Sequence, residues 1–177
     1  MKKAAFLDRD GVINRKPPEG QYVTRWEELQ FLPGVSEAII LLTGAGYIVF
    51  VVTNQRGVAK GLLTQDDVES IHQKMCQELA CAGAVITEVY YCPHEKQPPC
   101  SCRKPAPGML LTAARDHEIN LSSSWMIGDS DIDVEAGKNA GCKTIRIAPK
   151  GAAENNGADL SAPSLLAAVH QILALRL

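Results

Sequence analysis

Short apolar runs rich in β-branched and aromatic residues alternate along this chain with segments whose apolar positions recur every three to four residues. The runs fall at 4–7, 47–52 (YIVFVV), 85–91, 125–127 and 143–148 (KTIRIA). They are short and continuously apolar rather than alternating, as expected for strands of a parallel sheet covered on both faces. Helical periodicity is read over 35–42, 64–82, 107–117, 132–140 and 163–175. Local signals support these helices. Thr64 and Asp67 resemble a capping box, with Ile71, Met75, Leu79 and Ala82 recurring behind them. Pro107 stands near the first turn of its segment, Gly141 follows 132–140 as a stop, and the last helix follows a Gly/Asn-rich stretch at 151–157. The alternation predicts an α/β fold, a doubly wound parallel sheet in one domain spanning 1–177. Two stretches, 8–33 and 92–106, are long for connections in such a domain, and long loops tend to carry function.

Composition narrows the function classes. Apolar residues make up 46% and charged residues 21% of the chain, ordinary for a globular core, and the net charge is −2. That charge, with no basic stripe interleaved with aromatics, argues against a nucleic-acid binder. The apolar run after Met1-Lys2-Lys3 ends at Asp8, too soon for a secretory signal or a membrane span. A cytoplasmic, monomeric protein is expected, without a membrane or nucleic-acid partner. Its cysteines are then expected to be reduced.

The candidate chemistry begins at Asp8-Arg9-Asp10-Gly11, just after the first strand. Side chains two apart on an extended chain share a face, so the two acids repel unless a divalent cation or acid/base work accounts for them. Thr53 and Asn54 follow the second strand, Lys104 follows the third strand and its loop, and Gly128-Asp129-Ser130-Asp131-Ile132-Asp133 follows the fourth. Open α/β sheets bind ligands at the carboxyl ends of their strands, so these four pieces should converge on one crevice. The set suits phosphoryl transfer. A cation held by Asp8 and Asp129, with Lys104 beside it, would offset the repulsion between a phosphate and a carboxylate nucleophile. Thr53 could donate to a phosphoryl oxygen, Asp8 could attack to give an aspartyl-phosphate, and Asp10 could protonate the leaving alkoxide and then activate water.

A second cluster, Cys92-Pro93-His94 and Cys100-Ser101-Cys102, offers four soft or borderline ligands within eleven residues. Three cysteines and one histidine form a common tetrahedral set for structural Zn²⁺. The surrounding prolines stiffen the loop, which runs straight into Arg103-Lys104, so a metal clip there would fix the direction of Lys104.

The four pieces around Asp8, Thr53, Lys104 and Asp129, in that order, resemble the motifs of the haloacid dehalogenase (HAD) superfamily of phosphatases. The resemblance implies a Rossmann-like domain, Mg²⁺ as cofactor, Asp8 as nucleophile, Asp10 as acid/base, and Thr53 and Lys104 as phosphoryl stabilisers. It also implies Asp8, Asp129 and the backbone carbonyl of Asp10 as Mg²⁺ ligands. Asp133 matches the second acid of the last motif, a candidate to orient Lys104, and Asp131 has no assigned role. The Cys-His loop is similar to the zinc loop of the branch containing the heptose bisphosphate and histidinol-phosphate phosphatases, which lack a large cap. Thr53-Asn54-Gln55-Arg56-Gly57 and Cys102-Arg103-Lys104-Pro105 resemble the heptose bisphosphate pattern. That likeness implies a small phosphorylated sugar as substrate, release of its 7-phosphate, and Asn54, Gln55, Arg56 and Arg103 as substrate-binding residues. Arg56, Lys60 and Arg103 could hold a second phosphate, since an arginine fork matches phosphate oxygens. Histidinol phosphate is the alternative substrate, with Glu19 as the acidic residue available for an amine. A non-catalytic phosphate- or zinc-binding module is the alternative from another class. Residues 15–22 carry no assignment.

Overall fold

The computed structural model describes residues 1–149 and 157–175. Six strands form one parallel sheet: β1 (Lys3–Leu7), β2 (Tyr47–Asn54), β3 (Glu88–Cys92), β4 (Trp125–Gly128), β5 (Lys143–Ile147) and β6 (Leu160–Ala162), in the spatial order β3-β2-β1-β4-β5-β6. Among the described residues, five α-helices lie between and after them: α1 (Val35–Gly44), α2 (Gln65–Cys81), α3 (Gly108–His117), α4 (Asp131–Ala140) and α5 (Leu165–Ala174). The doubly wound fold read from the pattern is therefore the fold observed.

The pleat sorts each strand onto two cores. Ala5, Leu7, Val49, Val51 and Ile127 face one side and pack with apolar residues of α1, α2 and α5. Ala4, Phe6, Phe50, Val52 and Met126 face the other and pack with α3 and α4. Strands buried on both faces read as unbroken apolar runs, which is why the sequence announces them clearly.

Several boundaries differ from the expectation. The third strand starts at Glu88 rather than 85, because pairing with β2 begins at Phe50↔Glu88, and Val85 is exposed. Strand β6 has three residues, too few for a periodic signal, and exists through pairing with β5. Pro107 is the cap residue before α3 and not its first residue, while Ser164 caps α5 with a bond from the Ala167 N–H. Thr64 and Asp67 do form the capping box of α2. The stretch 151–157 lies, Gly157 apart, outside the described residues.

The sheet order reverses between β1 and β4. Connections leave these two strands toward opposite faces, which opens a crevice at their carboxyl ends. Asp8 follows β1 and Asp129 follows β4.

Candidate active site

That crevice has a volume of about 280 Å³ and is lined by Asp8, Asp10, Thr53, Asn54, Lys104 and Asp129 among others. The four separated pieces of sequence thus meet at one place. Register explains part of this. Leu7 pairs with Val51 on one side and Ile127 on the other, so Asp8 and Asp129 leave β1 and β4 side by side, while β2 runs three residues further and carries Thr53 and Asn54 to the same rim.

Lys104 is the hub. Its ammonium reaches Asp8 Oδ1 at 2.8 Å, Asp133 Oδ1 at 2.6 Å and the Val52 carbonyl at 2.7 Å, with the side chain 1% exposed. Two carboxylates and a carbonyl thus surround the ammonium, as a buried charge requires. Burial works to depress the Lys104 pKa, but the carboxylates of Asp133 and Asp8 outweigh it and hold the group well above the ordinary lysine value. The backbone of Lys104 is fixed as well. Asn54 Nδ2 donates to its carbonyl (3.1 Å) and Asn54 Oδ1 accepts from its N–H (3.0 Å).

Asp8 is buried, and its pKa is pushed up to about 7, first by desolvation and then by Asp133, against the opposing pull of Lys104. Its carboxylate accepts from the Arg9 N–H (2.8 Å) and from Lys104, both at Oδ1. The other oxygen, Oδ2, is thereby left to act.

Asp133, fully buried on α4, turns one oxygen to Lys104 and caps its own helix with the other, accepting from the Ser130 N–H at 3.1 Å. Gly128 is needed beside it, since a Cβ there would sit 2.1 Å from the Asp133 Cβ. Gly11 has φ +94, and a Cβ on it would lie 2.3 Å from Asp129 Oδ2. Only glycine suits that turn, which lets the β1 loop close against the β4 loop.

The donor set fits a hard divalent cation. Carboxylate oxygens of Asp8, Asp129 and Asp133 lie within 4.8 Å of one another, and Asp129 Oδ1 is buried without a hydrogen-bond partner. A buried, unpartnered carboxylate oxygen among other oxygens is what a Mg²⁺ ligand looks like before its ion. Asp129 Oδ2 meets Lys16 at 2.6 Å. Burial raises the Asp129 pKa, and Lys16 partly offsets the rise.

The Cys-His loop closes as the spacing suggests. Cys92, His94, Cys100 and Cys102 each offer one ligand atom, all within 4.8 Å of one another. The contacts include His94 Nδ1–Cys102 Sγ at 3.2 Å and Cys92 Sγ–Cys100 Sγ at 3.6 Å. One nitrogen and three sulfurs at this spacing suit tetrahedral Zn²⁺. The loop holds Arg103, whose Nη1 donates to the His94 carbonyl (3.1 Å).

The residues expected to bind substrate are placed differently from one another. Arg56 does not line the crevice; its half-buried guanidinium is turned to the Glu95 carboxylate. Gln55 is 2% exposed and lies behind the site, donating to Thr53 Oγ1 (2.9 Å) and Asp10 Oδ2 (3.3 Å). Asn54 lines the crevice, but its amide is spent on the backbone of Lys104. Lys60 stands over the ring of Tyr22, 5.2 Å from its centroid. Arg103 lines an adjoining hollow of about 420 Å³ with Lys96, which shares Lys104 and Ile132 with the crevice. In the first loop Glu19, the acid available for an amine, lines the crevice, and so do Lys16, Gln21 and Tyr22, which the sequence did not single out. An irregular loop carries no periodicity, so nothing in its pattern could have placed them.

A doubly wound sheet with paired aspartates at its switch point, a buried lysine and a second acid-rich turn is the make-up of a HAD-like hydrolase. A family profile described as "HAD-hyrolase-like" matches residues 101–165. The D-glycero-beta-D-manno-heptose-1,7-bisphosphate 7-phosphatase of Rhodopseudomonas palustris is 45% identical over 152 residues, covering 82% of this chain and 83% of that one. The D-glycero-alpha-D-manno-heptose-1,7-bisphosphate 7-phosphatase of Mycobacterium bovis is 39% identical, covering 90% and 86%. The crystal structure of D,D-heptose 1,7-bisphosphate phosphatase from B. bronchiseptica, complexed with magnesium and phosphate, superposes with a TM-score of 0.86 at 34% identity, covering 98% and 99%. The chain belongs to the HAD-like hydrolases, in the family of the heptose-1,7-bisphosphate 7-phosphatases.

Proposed function

We propose that this chain is a Mg²⁺-dependent phosphatase that removes the 7-phosphate of D-glycero-D-manno-heptose 1,7-bisphosphate through a phosphorylated Asp8. The observation that carries the reading is the meeting of Asp8, Asp10, Thr53, Lys104 and Asp129 in one crevice, in a chain up to 45% identical to relatives with that named activity. Relatives named for either anomer are similar to this chain, so the reading is made without an anomer.

Asp8, Asp129 and the backbone carbonyl of Asp10 would hold Mg²⁺. Once bound, the ion supplies the positive charge that offsets repulsion between the phosphate and the carboxylate nucleophile. Lys104 adds a fixed positive charge at Asp8 Oδ1, while Asp8 Oδ2 attacks phosphorus. Because Gln55 donates to Thr53 Oγ1, the threonine hydroxyl hydrogen is free to reach a phosphoryl oxygen. Asp10 gives its proton to the leaving C7 oxygen. It then takes one from the water that hydrolyses the aspartyl-phosphate.

Zn²⁺ on Cys92, His94, Cys100 and Cys102 would act structurally, holding Arg103 and Lys104 at the crevice wall. Arg103 and Lys96 in the adjoining hollow supply cations for the second phosphate. We read the chain as one domain without a large cap, so the loops 16–22 and 92–106 border the substrate instead. No described helix is long and apolar enough to cross a membrane. Six cysteines outside any disulfide, three of them in the zinc set, suit a reducing, cytoplasmic setting.

The test is steady-state phosphate release with Mg²⁺ from heptose 1,7-bisphosphate and histidinol phosphate side by side. A kcat/KM preference of about 100-fold for the bisphosphate, roughly 2.7 kcal/mol of transition-state discrimination, is expected. A preference for histidinol phosphate overturns the substrate.

A further inference from the structure

Arg9, between the two acids of the first motif, is 1% exposed. A buried guanidinium is tolerated only when its donors are met. Nε and Nη2 go to the carboxylate of Asp10, at 3.2 and 3.0 Å to Oδ1 and 3.0 Å to Oδ2. Nη1 meets Nε2 of His72, on α2, at 3.1 Å. An arginine can only donate, so His72 accepts through Nε2 and carries its single proton on Nδ1. His72 is 5% exposed, and the ring of Tyr91 stands edge-on to it at 5.6 Å, which fixes the imidazole plane. Burial and the adjacent guanidinium keep the ring neutral, with its pKa lowered to about 3.

The other contacts of Asp10 show what this arrangement aims. Asn14 Nδ2 donates to Oδ1 at 2.9 Å, and Gln55 Nε2 to Oδ2 at 3.3 Å. Oδ1 thus takes three close donor contacts, while Oδ2 takes two, from Arg9 at 3.0 Å and from Gln55 at the longer 3.3 Å, and is the less engaged oxygen. Asp10 also lines the crevice.

We propose that Arg9 and His72 are positioning residues for the proton transfer made by Asp10: His72 braces Arg9, and Arg9 aims Oδ2 of Asp10 at the leaving oxygen. This rests on the reading of Asp10 as the acid. As the P–O bond to C7 breaks, its electron pair stays on the sugar oxygen, which takes the proton from Oδ2. The carboxylate left on Asp10 is met by a guanidinium already in place, so little reorganisation accompanies the step.

The test separates positioning from mere folding by the leaving group. An alkoxide needs a proton to depart; p-nitrophenolate, a far weaker base, does not. Since kcat/KM reports steps through alcohol release, heptose 1,7-bisphosphate and p-nitrophenyl phosphate are compared for wild type, His72→Leu, His72→Gln, Arg9→Lys and Asp10→Asn, each first shown to be folded by thermal melting. His72→Leu is expected to lose roughly 10- to 100-fold on the sugar phosphate, the scale of a small misplacement of a catalytic group, and under about threefold on the aryl ester. His72→Gln restores an acceptor and should recover most of the loss. Should His72→Leu not fold, Arg9→Lys, which cannot span both Asp10 and His72, carries the same expectation. Equal losses on both substrates, or no loss, overturn the brace while leaving Asp10 in its role. If Asp10→Asn itself shows no leaving-group selectivity, the reading of Asp10 fails and the brace falls with it.

Discussion

Removing Asp133 tests the electrostatic hub from outside the reacting atoms. Its side chain is 1% exposed, and its Oδ1 lies 2.6 Å from the Lys104 ammonium. Its Oδ2 caps α4 through the Ser130 N–H. In Asp133→Ala the ammonium keeps Asp8 and the Val52 carbonyl but loses its shortest contact. Breaking a buried ion pair from one side costs about 3–5 kcal/mol, and a lost helix cap adds ~1 kcal/mol. The two Lys104 contacts that remain argue for the lower end of the first range. With about 3 kcal/mol for the pair and ~1 for the cap, and about 2–4 °C of melting temperature per kcal/mol in a chain of this size, a drop of roughly 8–16 °C is expected. Asp133→Asn should cost less, about 1.5–3 kcal/mol, because an amide oxygen can still accept from Lys104 while its NH₂ faces the Ser130 donor. Thermal melts and urea titrations of both variants at neutral pH are the assay. A melting temperature for Asp133→Ala within ~2 °C of wild type would refute the hub.

Asp8→Asn should abolish phosphate release while circular dichroism shows an intact fold; residual turnover above about 1% of wild type contradicts a nucleophilic Asp8. Arg103→Ala should raise KM roughly tenfold or more for a sugar bisphosphate and much less for a simple monophosphate, and equal effects on both argue against a second-phosphate role. Elemental analysis should find about one zinc per chain, and Cys100→Ser should lose the metal and lower both melting temperature and kcat/KM; a zinc-free, fully active enzyme refutes the clip. His72 has its folded pKa depressed to about 3, against an ordinary 6.5. The unfolded chain therefore binds the extra proton between those values, and stability falls as pH drops from about 6.5 toward 3. His72→Gln should flatten that slope by up to about 1.4 kcal/mol per pH unit, and an unchanged profile contradicts the assignment.

The apolar runs reveal five of the six strands and the pieces that meet at the switch point. Strands such as Tyr47–Asn54 are buried on both faces, so their apolar runs are unbroken, and Asp8, Lys104 and Asp129 each follow such a strand at its carboxyl end or beyond its loop. Element boundaries were legible where a cap is chemical, as at Thr64 and Asp67 of α2, and less so where only pairing decides, as at strand β6. Tertiary structure alone decided which polar side chains face substrate and which face each other. Asn54, Gln55 and Arg56 are consecutive, yet one clamps a backbone, one braces Asp10 and Thr53, and one pairs with Glu95. The histidine that meets Arg9 lies 63 residues away. These contacts join residues far apart in the chain through hydrogen bonds with no sequence period. Burial, which makes each such bond obligatory, is a property of the packed molecule and not of any local stretch.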